Sequence, residues 1–222
     1  MYNKNTGDPS NSIVVYTDYV CPYCLLAETV IRRVIDGHDV PIEWRPYELR
    51  PDPVPTLRVE DPYLPTVWER SVYPMAEELG VPIKLPQISP QPRTQKAFEG
   101  FQLAQEKGLG EAYSNRFLRA FFQEEQDIGD IEVIVRLGEE VGLDGAELRE
   151  ALDKGTYAFT HRKALEQAKE QANISAVPTI FIGDRRLQGV PSEGELRAAL
   201  QEAGLLKATA QNSTTPLTQS KA

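Results

Sequence analysis

The chain has 222 residues, of which 41% are hydrophobic, so it can form a packed core as one large domain or as two small ones. Its net charge of -9 disfavours nucleic acids and anionic membrane surfaces as partners, because both select basic proteins. No stretch approaches the roughly 20 apolar residues of a membrane span, and residues 1–11 lack an apolar signal core, so a full-length chain is expected to be cytoplasmic.

The beginning of the chain predicts a strand, a helix and a second strand. After a flexible arm at 1–11, the apolar and β-branched run 13–16 is typical of a buried strand. Pro22 suits the first position of a helix, and Gly37 ends the helical pattern that follows. The stretch 41–49 predicts another strand, so this region forms a βαβ unit with parallel strands.

A long helical block follows the βαβ unit. Pro74 lies inside the first of its helices, where a proline predicts a kink or a break. Asp130 is a plausible N-cap of the fourth. The predicted helices are 66–79, 94–107, 111–125, 130–141, 144–152 and 157–172.

The sheet pattern returns near the end of the chain. Residues 179–182 and 185–188 predict two strands joined by the two-residue turn Gly183-Asp184. Ser192 and Glu195 have the spacing of a capping box, which predicts a last helix to about Ala203. Residues 207–222 are polar and are expected to be disordered. The fold class is therefore α/β, with one mixed sheet interrupted by a large helical insertion.

Cys21 and Cys24 are the only cysteines, and they form the sequence CPYC at the start of the first helix. A cysteine at a helix N-terminus faces unpaired N–H groups and the positive end of the helix dipole, and both favour a thiolate. Cys21 is the more exposed candidate and is expected to attack a disulfide, after which Cys24 resolves the mixed disulfide. A C-x-x-C pair near a βαβ unit is the pattern of a thioredoxin-like redox site.

Three other interpretations of the two cysteines stay open. A structural disulfide would close a very small loop and constrain little of the unfolded chain. A closed zinc site needs four ligands, and His38 and His161 are the only histidines that could complete one. The third interpretation is coincidence, with two ordinary buried cysteines.

The sequence resembles the DsbA family of thioredoxin-fold proteins, and within it the cytoplasmic branch often called FrnE-type. The resemblance rests on the stretches YTDYVCPYC at 16–24, EWRPYEL at 43–49 and NISAVPT at 173–179, and on QGVP at 188–191. It implies a thioredoxin-like domain at 12–60 and 157–206 and an inserted helical domain at 61–156.

The resemblance also implies roles for particular residues. The Val177–Pro178 peptide bond is expected to be cis and to face Cys21, with the backbone of Val177 pairing with an extended substrate segment. Pro22 and Tyr23, between the cysteines, lie where the family tunes its redox potential. No metal and no bound cofactor is implied, and glutathione is a candidate redox partner.

One position departs from the family pattern. Thioredoxins and periplasmic DsbA proteins carry a buried acid six residues before the first cysteine, and here that residue is Val15. A proton relay through that acid is therefore missing or comes from elsewhere. Asp18 and Glu28 are near in sequence, and we expect both to be solvated surface acids.

The aromatic residues of the insertion recur at helical spacing, which favours a core role over a substrate groove. They are Phe101, Tyr113, Phe117, Phe121 and Phe122. Pro92-Arg93, before the second helix of the block, is a candidate contact for an anionic ligand or a plain helix start.

We therefore predict a monomeric thiol–disulfide oxidoreductase or isomerase that acts on the disulfides or dithiols of proteins and peptides. The alternative is a glutathione-dependent transferase or isomerase, similar to the kappa-class glutathione transferases, with glutathione near Val177 and Ser192-Glu193. A third interpretation is a chaperone-like interaction module whose cysteines are vestigial or bind a metal. The direction of catalysis depends on a reduction potential that the sequence does not supply.

Overall fold

A computed structural model describes residues 12–207 of the protein. Its sheet has four strands: β1 (Ile13–Thr17), β2 (Ile42–Pro46), β3 (Thr179–Ile182) and β4 (Arg185–Gln188). The strand order is β2-β1-β3-β4, in which β1 is parallel to β2 and antiparallel to β3, and β4 closes a hairpin with β3. The predicted mixed sheet is confirmed.

The β1 strand is the buried centre of this sheet, because it is paired on both edges and every one of its residues is buried. Val15 lies opposite Trp44 of β2 and Ile180 of β3, and all three side chains are nearly inaccessible. An ionisable group at this position would be surrounded by apolar side chains. The strand ends at Thr17, and the loop from Asp18 to Cys21 leads into the first helix.

Nine α-helices lie within the described residues. Helix α1 (Pro22–Ile35) connects β1 to β2, and α9 (Glu193–Glu202) follows the β3–β4 hairpin. The helical block between β2 and β3 consists of α2 (Tyr63–Val67), α3 (Tyr73–Glu78), α4 (Gln95–Glu106), α5 (Gly110–Glu124), α6 (Ile131–Glu140), α7 (Gly145–Lys154) and α8 (Ala158–Glu166). Two π-helical turns, Trp68–Val72 and Gln167–Gln171, extend α2 into α3 and lengthen α8.

The α-helix predicted over 66–79 is interrupted just before Pro74, as the proline predicts. The helical path continues through the π-helical turn Trp68–Val72, in which the N–H of Tyr73 bonds to the carbonyl of Trp68, five residues earlier. Pro74 follows at the start of α3, where its missing N–H leaves no donor unpaired. The π-helical turn therefore lets the helical path continue past the proline.

The predicted helix caps are confirmed. The Asp130 side chain accepts from Glu132 and Val133 N–H at the start of α6, and Ser192 and Glu195 form the complete capping box of α9. The predicted strand 41–49 is shorter in the structure and ends at Pro46. Beyond Pro46, the chain turns to contact the loop that carries Cys21.

The five aromatic side chains of the insertion are buried in its core, as expected. Tyr113 and Phe117 stack at 4.0 Å between ring centroids, and Phe121 packs edge-on to Phe122. No helix within residues 12–207 is long and apolar enough to cross a membrane. The flexible arm predicted at 1–11 and almost all of the disordered tail predicted at 207–222 lie outside the described residues.

Candidate active site

Cys21 is the N-cap residue of α1, and Pro22 occupies the first helical position behind it. Its backbone is extended, with φ -96° and ψ 111°, and its side chain makes no capping hydrogen bond. The Sγ atom instead donates to the carbonyl oxygen of Val177 at 3.4 Å, across 156 residues of sequence. The thiol therefore lies where the helix N-terminus meets the segment that leads into β3.

Cys24 lies one turn into α1, and its N–H bonds to the carbonyl of Cys21 at 3.0 Å. Both cysteines are free thiols, and Cys24 is 1% exposed while Cys21 is 4% exposed. Burial raises the pKa of the Cys24 thiol well above its ordinary value, and Cys21 beside it raises the pKa further. The Thr17 hydroxyl and the Asp18 N–H act in the opposite direction, because both can donate to a Cys24 thiolate.

The Val177–Pro178 peptide bond is cis, and both residues are buried. The Pro178 carbonyl accepts from Gly189 N–H at 2.9 Å, so the segment is held against the end of β4. Among residues 12–207, the Val177 N–H has no hydrogen-bond partner, while its carbonyl accepts from Cys21. Cys21, Cys24 and the Val177–Pro178 segment thus meet at one place.

Two tyrosines connect the active-site segment to the helical insertion. Tyr23, inside the CPYC sequence, donates from its hydroxyl to Ser71 Oγ at 2.7 Å, and Ser71 belongs to the π-helical turn. Tyr19, two residues before Cys21, stacks on Phe98 at 4.3 Å and shares a hydrogen bond with Ser114. The insertion therefore supports the redox motif as well as covering the sheet.

The expectation that Asp18 is a solvated surface acid is wrong, because the residue is 1% exposed. Its Oδ2 accepts from Leu49 N–H at 2.8 Å, whereas Oδ1 has no hydrogen-bond partner. The Thr94 side chain and the Val20 N–H approach the carboxyl group and lower its pKa somewhat. Burial outweighs these contacts and raises the pKa of Asp18 to about 7.

The same expectation is wrong for Glu28, which is also 1% exposed. Its carboxylate accepts from Arg32 Nε at 3.1 Å and from Arg119 Nη2 at 3.0 Å, so its charge is compensated inside the α1–α5 contact. Glu28 therefore connects helix α1 to the insertion and is fully engaged in ion pairs.

Sequence reasoning also missed another buried acidic group, Glu48. Its carboxylate lies 2.6 Å from Nε2 of His161, and both side chains are nearly inaccessible. The His161 ring stacks on Phe98, and its Nδ1 has no partner. The two residues are 113 positions apart, so no local pattern could have paired them.

The candidate ligand contacts predicted from the sequence, Arg93 and Ser192, have structural roles. Arg93 donates to the Arg50 carbonyl and pairs with Asp52, so its guanidinium is already engaged by the protein. Ser192 caps α9. Residues 12–207 contain no cluster of three or more side chains able to hold a metal ion.

The family of this chain follows from a match to the DSBA-like thioredoxin domain over residues 12–201. The chain belongs to the DsbA-like thioredoxin family. The match spans both parts of the sheet and the whole helical block, so the inserted helices are part of the family domain. Placement in the FrnE-type branch stays a prediction.

Similarities to individual proteins are consistent with the family match. An uncharacterized protein, YwbO of Bacillus subtilis, is 47% identical over 191 residues, which cover 86% of this chain and 96% of that protein. A solved probable DsbA oxidoreductase of Streptomyces coelicolor has a TM-score of 0.72 at 22% identity, covering 95% of this chain and 94% of that one. The cytosolic disulfide reductase DsbM of Pseudomonas aeruginosa, solved with GSH, has a TM-score of 0.66 at 18% identity, covering 88% and 100%. The two solved structures show the same fold.

Proposed function

We propose that this DsbA-like protein is a thiol–disulfide oxidoreductase that exchanges disulfides with extended protein or peptide segments through Cys21 and Cys24. One observation carries the proposal: the Cys21 thiol, at a helix N-terminus, contacts the Val177 carbonyl while Cys24 lies buried one turn behind it. This arrangement separates an attacking sulfur from a resolving sulfur.

The reaction in the reducing direction begins at Cys21. Its thiolate attacks one sulfur of the substrate disulfide, and the other substrate sulfur leaves as a thiolate, which takes up a proton. Cys24 then loses its proton and attacks Cys21 Sγ, forming the Cys21–Cys24 disulfide and releasing the first substrate sulfur. Two electrons pass from the protein dithiol to the substrate, and the oxidising direction is the same sequence reversed.

The backbone of Val177 is the proposed contact for the substrate. Its N–H is unpaired among the described residues, and its carbonyl accepts a hydrogen bond there from the Cys21 thiol. An extended peptide can pair with such a backbone as an added strand, which would bring a substrate cysteine close to Cys21. Specificity would then come from side chains around this contact and not from the backbone pairing itself.

Glutathione is the proposed small-molecule partner that returns Cys21 and Cys24 to their starting redox state. As a thiol it can exchange with the Cys21–Cys24 disulfide without a dedicated binding site. DsbM, a relative by fold, was solved with GSH. We propose this supporting role ahead of a glutathione-dependent transferase activity, because a transferase has no use for a second, buried thiol such as Cys24. We further propose that the protein acts as a monomer in the cytoplasm.

Replacing either cysteine by serine tests the proposed function, because the two thiols have different roles. Cys21→Ser is expected to reduce insulin-disulfide reduction to the rate of dithiothreitol alone, since the remaining thiol, Cys24, lies one turn inside the helix and burial raises its pKa. Cys24→Ser is expected to accumulate a mixed disulfide between Cys21 and the substrate, visible as a higher-mass band on a non-reducing gel.

The matched control is the double variant Cys21→Ser/Cys24→Ser, which contains no cysteine because the chain has only these two. It defines the background of both assays. Full insulin-reducing activity in Cys21→Ser, or mixed disulfides that form equally in the double variant, would contradict the proposed function.

A further inference from the structure

A small cavity lies beside the loop that precedes Cys21. Its volume is about 60 Å³, which is room for the end of one side chain or for a few ordered water molecules. Val20, the residue before Cys21, lines the cavity together with residues of α2 and the N-cap of α4. Leu49 is the most exposed residue of the lining, at 43%, so the cavity reaches the surface on this side. The disulfide exchange proposed above does not use this cavity.

Most of the cavity wall is apolar. The apolar side chains are those of Val20, Leu49, Leu57, Leu64 and Pro92. A ligand that enters therefore buries its carbon atoms against apolar groups, which is favourable when those atoms are apolar as well.

Asp18 supplies a free polar group in this wall. Its side chain is 1% exposed and its Oδ2 accepts from Leu49 N–H, whereas Oδ1 has no hydrogen-bond partner among residues 12–207. A buried carboxyl oxygen without a partner is costly, and a ligand that donates to Oδ1 would remove this cost. The cavity therefore favours a ligand with a hydrogen-bond donor.

Other polar side chains of the wall already donate to the protein itself. The Gln91 amide donates to two backbone carbonyls of the preceding loop. Arg50 donates to the Pro55 carbonyl, while Arg93 donates to the Arg50 carbonyl and pairs with Asp52. An anionic ligand would therefore meet the Asp18 carboxyl group and find these donors engaged, so the cavity disfavours anions.

A cationic ligand also fits the cavity less well than a neutral one. The guanidinium groups of Arg50 and Arg93 line the same wall and repel a further positive charge. Burial raises the pKa of Asp18 to about 7, so its carboxyl group exists in both protonated and ionised forms near neutral pH. A hydroxyl or a primary amide donates to the ionised form and accepts from the protonated form, whereas an ammonium group pairs only with the ionised form.

We propose that this cavity is a specificity site that takes a small, neutral, hydrogen-bond-donating side chain, such as that of asparagine or threonine, from a residue next to the substrate cysteine that Cys21 attacks. The inference rests on the proposed function and deepens it by naming a class of substrate. The Cys21 N–H bonds to the Asp18 carbonyl at 3.0 Å, and Val20, between them in sequence, lines the cavity. Neighbouring Cα atoms are about 3.8 Å apart, so a residue beside the attacked cysteine can reach this wall.

Three peptides of otherwise identical sequence test the preference. Each carries one cysteine as a mixed disulfide with thionitrobenzoate, flanked on both sides by asparagine, by aspartate or by leucine, whose side chains are similar in shape. In the Cys24→Ser protein, Cys21 attacks the peptide sulfur and thionitrobenzoate leaves as a coloured thiolate, which gives the second-order rate constant. At neutral pH the asparagine peptide is expected to react about tenfold faster than the leucine peptide, because it donates to Asp18 Oδ1. The aspartate peptide is expected to be the slowest, because it brings a second carboxylate to Asp18.

Two cavity variants in the same background show whether the preference comes from this site. Asp18→Asn keeps an oxygen for Leu49 N–H and turns an amide N–H toward the cavity, so the aspartate peptide is expected to gain about tenfold relative to the asparagine peptide. Leu57→Phe narrows the cavity and is expected to lower the asparagine peptide to the rate of the leucine peptide. Asp184→Asn, in the exposed β3–β4 turn, removes a carboxylate that does not line the cavity and is expected to leave all three rates unchanged.

The outcomes are distinguishable from failure of the proposed function. Release of thionitrobenzoate no faster than in Cys21→Ser/Cys24→Ser, with every peptide, would contradict the proposed function itself. Equal rates for the asparagine and leucine peptides in a protein that does react would overturn the specificity site alone, as would a preference that persists in Leu57→Phe. If Asp18→Asn does not fold, the comparison with Leu57→Phe decides.

Discussion

Cys21 and Cys24 are one helical turn apart, yet their surroundings differ. Cys21 is the N-cap of α1 and its thiol donates to a backbone carbonyl, whereas Cys24 is enclosed by the helix, Thr17 and the Asp18 backbone. Burial disfavours the thiolate form of Cys24 and raises its pKa. The division into an attacking and a resolving thiol thus follows from the position of each residue relative to the helix start.

This difference predicts selective alkylation of the reduced protein. With iodoacetamide at neutral pH, we expect an adduct on Cys21, at the helix N-terminus, and none on Cys24, because the raised pKa of Cys24 keeps its thiol protonated. Peptide mass spectrometry after proteolysis locates the adduct. In urea both cysteines should react, which is the control, and Cys24 labelling in the folded Cys21→Ser variant at the unfolded rate would contradict the prediction.

The sequence located the reactive cysteines but mistook the environment of two acids. CPYC is a local pattern, and its helix start follows from Pro22 and the strand before it. Asp18 and Glu28 are buried by partners distant in sequence, namely Leu49 for Asp18 and Arg119 for Glu28. A charged residue in a sequence is expected to be exposed by default. Only the folded chain shows which charged residues are buried.

At the level of elements, the strands and helix caps were predictable because their signals are short. The β-branched runs, Asp130 and the Ser192/Glu195 pair each act within a few residues. The π-helical turn before Pro74 was not predictable, because the sequence shows only that a proline interrupts the helical pattern. Which hydrogen bonds replace the lost one depends on the packing of the helix against its neighbours.

The π-helical turn and the redox motif are coupled by the Tyr23–Ser71 hydrogen bond, which predicts a non-additive pair of substitutions. Tyr23→Phe and Ser71→Ala are each expected to lower the free energy of unfolding by about 1 kcal/mol. The double variant is expected to lose about as much as either single variant, because both remove the same bond. Urea denaturation of the four proteins measures the coupling.

Tyr63→Phe is the matched control for the tyrosine substitution. Tyr63 is 57% exposed and its hydroxyl makes no hydrogen bond among the described residues, so removing this hydroxyl should leave the stability unchanged. Additive losses in the double variant would show that Tyr23 and Ser71 act independently, and the proposed coupling between motif and insertion would then be absent.

At the level of the whole molecule, the loop after β1 joins the sheet to the insertion. Tyr19 enters the aromatic core formed by Phe98, Tyr113 and Phe117, while Asp18 and Thr17 hold the chain that follows β2. The α/β class and the inserted helical block were predictable from the order of elements. The contacts of this loop were not predictable, because they involve residues from four separate segments of the chain.

The buried Asp18 predicts how the stability of the whole protein depends on pH. Its pKa is about 7 in the folded state against an ordinary value of 3.8. The folded protein therefore holds this proton more tightly than the unfolded chain between about pH 4 and 7, so stability falls as pH rises through this range. At pH 8 the burial of the ionised carboxylate costs on the order of 4 kcal/mol relative to pH 3.

Asp18→Asn removes this titration but keeps a side chain of similar shape. Compared with the wild type, the variant is expected to gain stability steadily from pH 4 to 8, and urea denaturation at several pH values measures the difference. Asp184→Asn is the control, because its exposed carboxylate should produce no such trend. A constant difference between wild type and Asp18→Asn would mean that the Asp18 pKa is not raised.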